Sequence, residues 1–172
     1  AAFRIPDFIF VTAASIVSIS VLVPFLIEKL DLGFDEGKKF INNIFSFFFI
    51  LIFGTSLLTY FLIPYLVPFI FPGLDEAGRT SELIIISRIL LLSPILLGLS
   101  NFFASITQVY RRFLIYALSP LLYNIGIIIG ILFLYPIFGL SGLVLGVIIG
   151  AIFHFSIQIP FVLRQGLLPK FS

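Results

Sequence analysis

Six positions in this 172-residue chain put side chains able to hold an anion, move a proton or bridge helices into otherwise apolar sequence: Arg4, Asp7, Arg88, Asn124, His154 and Gln158. Arg4 and Asp7 flank an Ile-Pro pair ahead of a long apolar run. A guanidinium is permanently charged and grips phosphate or carboxylate through paired donors. Arg4 is therefore suited to a diphosphate in a polar chamber, to Asp7 as a partner, or to snorkelling into the headgroup layer. Arg88 is the only charge inside its run, about two turns from the start. Substrate contact, a buried pair with Glu82 or Glu76, and interfacial snorkelling are all open to it. His154 and Gln158 stand four apart and share a helix face, as Asn124 and Ser119-Pro120 do more loosely. Imidazole titrates near neutrality and can relay protons. With no carboxylate in its run, His154 is read first as an interhelical hydrogen-bonder. Asn101, Asn124 and Gln158 are read the same way, at roughly 0.6 to 2 kcal/mol each. No paired carboxylates lie inside an apolar run, and one His with no Cys gives no ligand cluster; a P-loop is also absent. No catalytic residue, metal, cofactor or ATP-driven step is expected.

The elements that must position these residues follow from composition. The chain is 60% hydrophobic and 10% charged, with mean hydropathy +1.25, whereas soluble domains are about a quarter charged. The apolar runs are long and lack strand alternation, so the fold class is all-α: a polytopic membrane helix bundle, one transmembrane domain over residues 1–172. A net charge of +2, dispersed over loop positions, does not suit nucleic acid. Absence of Cys removes disulfides and thiol chemistry.

Five spans are expected, over about residues 5–29, 40–63, 80–109, 113–135 and 139–163. In the first, Ser15 and Ser18 mark a face toward protein or a cavity rather than lipid. In the second, Pro64, Pro68 and Pro72 are expected to end the helix and bend the chain along the interface, and Phe45, Phe47, Phe48, Phe49 and Phe53 make a lipid-facing or packing surface. Pro94 and Gly98 predict a kink in the third. Residues 113–163 carry no charge; as one helix they would be roughly 75 Å long against a bilayer core of about 30 Å. Pro136 and Gly139 supply the required reversal. Gly126 and Gly130 on one arm, and Gly142, Gly146 and Gly150 on the other, give strips where backbones can meet. Lys29, Lys38, Lys39, Arg111, Arg112, Arg164 and Lys170 fall on one side of this topology and only Arg79 on the other, which puts the seven in the cytoplasm and Ala1 outside. Without a basic leader or initiating Met, and ending abruptly, the chain reads as a fragment.

Several of these segments, in order, resemble the N-terminal half of the lipid II flippase family called MurJ or MviN. They are Arg4-Ile-Pro-Asp7, Phe71-Pro-Gly73, Arg88-Ile-Leu, Tyr110-Arg-Arg-Phe113 with Ala117-Leu-Ser-Pro-Leu-Leu-Tyr-Asn124, Gly142-Leu-Val-Leu-Gly146, and His154 with Gln158-Ile-Pro160. The resemblance implies the fold of the multidrug, oligosaccharidyl-lipid and polysaccharide exporters. It implies five spans matching the second to sixth of about fourteen, a multi-pass place in the bacterial cytoplasmic membrane, and alternating access. The implied partners are membrane lipids, a lipid-linked oligosaccharide diphosphate, and a first helix and C-terminal lobe beyond these residues. Arg4, Asp7, Arg88, Asn124, His154 and Gln158 become candidates to border the substrate cavity. Phe10, Val11 and Ser15 stand where the family usually carries charges. Alternative readings are a polysaccharide-repeat flippase, a drug or cation antiporter, or a non-transporting membrane scaffold.

Overall fold

A computed structural model describes residues 4–8, 11, 19–71 and 80–171. The Ser15 and Ser18 face, Phe10, the loop holding Glu76 and Arg79, and both chain ends lie outside the described residues. The described residues are helical with short connections. Four helices are long and apolar enough to cross a membrane: Phe34–Ile70, Thr80–Val109, Phe113–Phe138 and Leu140–Arg164. The expected first span is described at residues 4–8, at residue 11, and as α1 (Ile19–Asp31).

α2 (Phe34–Ile70) starts after Gly33, whose φ of 141° suits a residue without Cβ, and carries Asp35 and Glu36 in its first turn, where acids complement the helix dipole. It continues through Pro64 and Pro68 to Ile70 rather than stopping near Ile63. The reason lies in its neighbours. Ile63 and Val67 are fully buried and pack with Ile5 and Leu91, and a carbonyl orphaned by proline can be satisfied from an adjacent helix, as prolines in membrane helices generally are. Pro64 has no N–H for the Tyr60 carbonyl, and Arg88 Nε donates to that oxygen at 3.3 Å.

The next span is interrupted. α3 (Thr80–Leu90) and α4 (Leu92–Val109) meet at Leu91, whose N–H donates three residues back to the Arg88 carbonyl, because Pro94 cannot donate to Leu90. This is the kink expected near Pro94. α5 (Phe113–Ile129) passes into a π-helical turn at Gly130–Leu134 and a short α6 (Tyr135–Phe138). Pro136 offers no N–H to Leu132, and the ladder widens so that Tyr135 N–H donates to the Gly130 carbonyl. Gly139, at φ 58° and ψ −138°, reverses the chain into α7 (Leu140–Ser156). Pro160 breaks the helix again, so α8 (Ile159–Arg164) begins after a turn at Ile157 and Gln158.

In the span built of α3 and α4, 44% of the most apolar window is buried, against 11% for α5 to α6. The first is thus the centre of the bundle and the second its edge. The largest core cluster joins Leu26 of α1, Phe48 and Ile52 of α2, Phe102 and Ile106 of α4, and Val162 of α8. Leu167, after α8, is fully buried in the same cluster. Beyond it Lys170 N–H donates to Asn42 Oδ1 at 2.8 Å, and the Phe171 ring sits 5.2 Å from that of Phe49. Arg112 lies 5.9 Å from the Phe161 ring. These contacts gather the start of α2, the turn at Arg111-Arg112 and the end of α8 at one end of the bundle. Lys38, Lys39, Arg111, Arg112, Arg164 and Lys170 lie on these segments.

Candidate functional site

Two polar features lie inside this apolar frame, and both grow from proline breaks. The first is a small cavity of about 40 Å³ lined by Asp7, Ser93, Pro94, Leu97, Leu90 and Tyr123, closed by Pro6. The kink at Leu91 and Pro94 opens α3 and α4 there, Asp7 comes from the N-terminal helical residues, and Tyr123 comes from α5. Tyr123 shares this cavity with Ser93 and Asp7 and lies within electrostatic range of the Asp7 carboxylate. The volume holds a few waters at most. The cavity lies on the part of the bundle toward Arg4, whose guanidinium is exposed and stands 6.0 Å from the Phe71 ring. Asn124, one residue past Tyr123, points about 100° away around the helix and is exposed. It does not line the cavity.

The second feature is a buried network around Gln158, which is fully buried. Its Nε2 donates to Ser100 Oγ at 2.7 Å and more distantly to Ser119 Oγ at 3.4 Å. Ser100 Oγ lies 2.6 Å from His154 Nδ1 and donates to the His154 carbonyl at 3.0 Å. The cause is local. In an unbroken helix Gln158 N–H would serve the His154 carbonyl, but at this break it donates to Phe155 instead, at 3.2 Å. Ser100 and Gln158 Nε2, the latter at 3.4 Å, take up the released oxygen. The Tyr123 ring stands edge-on to His154, with centroids 6.4 Å apart, and this ring pair lies between the cavity and the network. Gln158 Oε1 is buried without a hydrogen-bond partner.

Arg88 is elsewhere. It faces α2, its guanidinium 4.5 Å from the Tyr60 ring, in a groove that shares no residue with the cavity beside Asp7. Of the six expected site residues the structure thus brings His154 and Gln158 together, puts Asp7 next to Tyr123, and leaves Arg88, Asn124 and Arg4 apart from these pairs. Among the described residues no group of His, Cys, Asp and Glu could hold a metal ion.

The five glycines lie between α5 and α7. A Cβ on Gly126 would strike the Gly150 backbone, one on Gly130 would meet Gly146 Cα at 2.6 Å, and one on Gly142 would strike the Leu134 carbonyl. The strip brings backbones into contact along the whole hairpin and so fixes where Tyr123 and His154 meet.

Sequence reasoning passed over Ser93, Ser100 and Tyr123. Ser93, Ser100 and Thr107 recur every seven residues along the third span and are all buried. That period, in a helix otherwise built of Leu, Ile and Phe, was the available signal. Nothing comparable marks Tyr123.

Helices of this length and apolarity, broken at prolines and joined by buried polar groups, define a polytopic helical membrane protein. The family model for the lipid II flippase MurJ matches residues 1–172, and the chain belongs to that family. A protein of Borreliella burgdorferi named "Probable lipid II flippase MurJ" is 38% identical to it over 68 residues, which cover 40% of this chain and 13% of that relative. The match therefore spans a small part of the relative's length.

Proposed function

We propose that this chain is part of the N-terminal lobe of a flippase that carries lipid II across the bacterial cytoplasmic membrane by alternating access. The observation that carries the reading is the family match over the whole of residues 1–172. The physical task is to move a diphosphate-linked headgroup through hydrocarbon, where an uncompensated charge costs several kcal/mol. A cavity of about 40 Å³ beside Asp7 is too small for such a headgroup. In this reading it is the edge of a larger chamber whose opposite wall is the other lobe, with Arg4 at its rim as the cation for the diphosphate. The proline breaks at Leu91 and Gln158 are the places where the lobe can flex as it rocks. This chain contributes binding and movement, and no bond is made or broken.

The test is complementation by the intact protein in cells depleted of their own flippase. Arg4→Ala and Asp7→Asn should each reduce the lipid II that an added hydrolase can reach at the outer leaflet, while abundance in the membrane stays normal. Unaltered flipping by both variants would take the cavity and its rim out of the mechanism.

A further inference from the structure

The groove holding Arg88 remains without a role in that reading. It lies between α2 and the α3–α4 span, encloses about 290 Å³, and is walled by Phe53, Leu57, Leu92 and Ile95. Ser56 and Arg88 are among its lining residues. Ser56 is 3% exposed and its Oγ has no hydrogen-bond partner. Its neighbours behave differently: Thr55 and Thr59 turn their hydroxyls back onto their own helix, at 2.8 Å to Leu51 and Thr55 carbonyls. Arg88 spends only Nε on the Tyr60 carbonyl, and the stacked Tyr60 ring holds the guanidinium plane in place. Its terminal amino groups make none of the described hydrogen bonds, and no carboxylate pairs with it among the described residues.

The depth of the groove adds a second observation. Arg88 stands roughly 12 Å along the helix from Thr80, at the end opposite the basic cluster. With 37 residues α2 is roughly 55 Å long and outruns a hydrocarbon core of about 30 Å. Its last turns therefore stand in the headgroup layer, and Tyr60 comes near the boundary, the depth of lipid phosphates and a favoured depth for tyrosine. An unpaired cation, an unused buried hydroxyl and an apolar wall at that depth match an amphiphile with a single negative charge.

We propose that this groove binds a membrane glycerophospholipid, its phosphodiester held by Arg88 and Ser56 and an acyl chain lying along Phe53, Leu57 and Leu92. A diphosphate would bring more negative charge than one guanidinium offsets. The proposal does not depend on the flippase reading.

The test uses the intact protein, stripped of lipid in detergent and titrated with dioleoyl phosphatidylglycerol under native mass spectrometry. Arg88→Gln should weaken binding about tenfold, the scale of one charge-assisted hydrogen bond. Leu92→Trp, at a half-exposed wall position, should do likewise by filling the groove without touching a polar group. Dioleoylglycerol, which lacks the phosphate, should not bind. Unchanged affinity in Leu92→Trp would overturn the site. So would equal binding of dioleoylglycerol, displacement of the lipid by millimolar inorganic phosphate, or preference for undecaprenyl diphosphate.

Discussion

Proline is the residue that explains most of the polar chemistry here. Pro64 orphans the Tyr60 carbonyl and Arg88 Nε fills the gap, while Pro160 loosens the turn at Gln158 and Ser100 fills that one. The two cases make separate predictions. Restoring the missing N–H with Pro64→Ala should make Arg88 partly redundant, so Arg88→Gln should cost about 1 kcal/mol less in the Pro64→Ala background than in the parent. Equal costs in a double-mutant cycle on detergent-solubilised protein would separate the two residues. Ser100→Ala should destabilise by about 1 to 2 kcal/mol, since it deprives both the His154 carbonyl and Gln158 Nε2 of a partner in a buried site. Ser156→Ala, on the exposed side of α7, the helix that carries His154, should change stability by less than about 0.5 kcal/mol. At this scale the sequence was only half readable. The pairing of His154 with Gln158 follows from their spacing. The placement of Arg88 against a backbone oxygen on α2 depends on which helix lies beside it, and no spacing reveals that.

Helices were more legible, because hydrocarbon demands long uncharged runs whatever the tertiary contacts. The reversal at Pro136 and Gly139 and the kink near Pro94 follow from rules about backbone N–H groups that hold without neighbours. The extension of α2 to Ile70 does not, because it rests on Ile63 and Val67 meeting Ile5 and Leu91. Glycines give the sharpest test of this difference. Gly54 has nothing within 4 Å of an added Cβ, while one on Gly146 would strike the Gly130 backbone. Gly54→Ala should therefore stabilise by about 0.5 to 1 kcal/mol through helix propensity. Gly146→Ala should destabilise by about 1 to 3 kcal/mol as α5 and α7 are forced apart. Unfolding titrations with a denaturing detergent would read both, and effects of the same sign would mean that the hairpin is looser than described.

For the molecule as a whole, six basic residues dispersed along the sequence, Lys38, Lys39, Arg111, Arg112, Arg164 and Lys170, come together at one end, near Asn42, Tyr110 and Phe161. Cysteines at Ser81 and Lys170, in a chain that has none of its own, should react with an impermeant thiol reagent from opposite sides of the membrane. Labelling from one side would refute the expected topology. What lay beyond the sequence at this scale was the spatial separation of polar groups: the cavity beside Asp7 and the groove beside Arg88 open on different faces, although both involve the same kinked span.

The hairpin also bears on how such a chain enters the membrane. Every backbone contact in it joins residues near in sequence, with Gly130 against Gly146 and Leu134 against Gly142, and contacts of that kind close early because little loop entropy opposes them. Its two arms carry no charge that would have to be dragged through lipid. Once α7 has been synthesised the pair can zip together and insert as one body, before α8 and the return past Leu167 are made. A bulky residue at Gly146 should thus show itself first in the ribosome-bound chain, as poor protease protection of α5, and only afterwards in the purified protein.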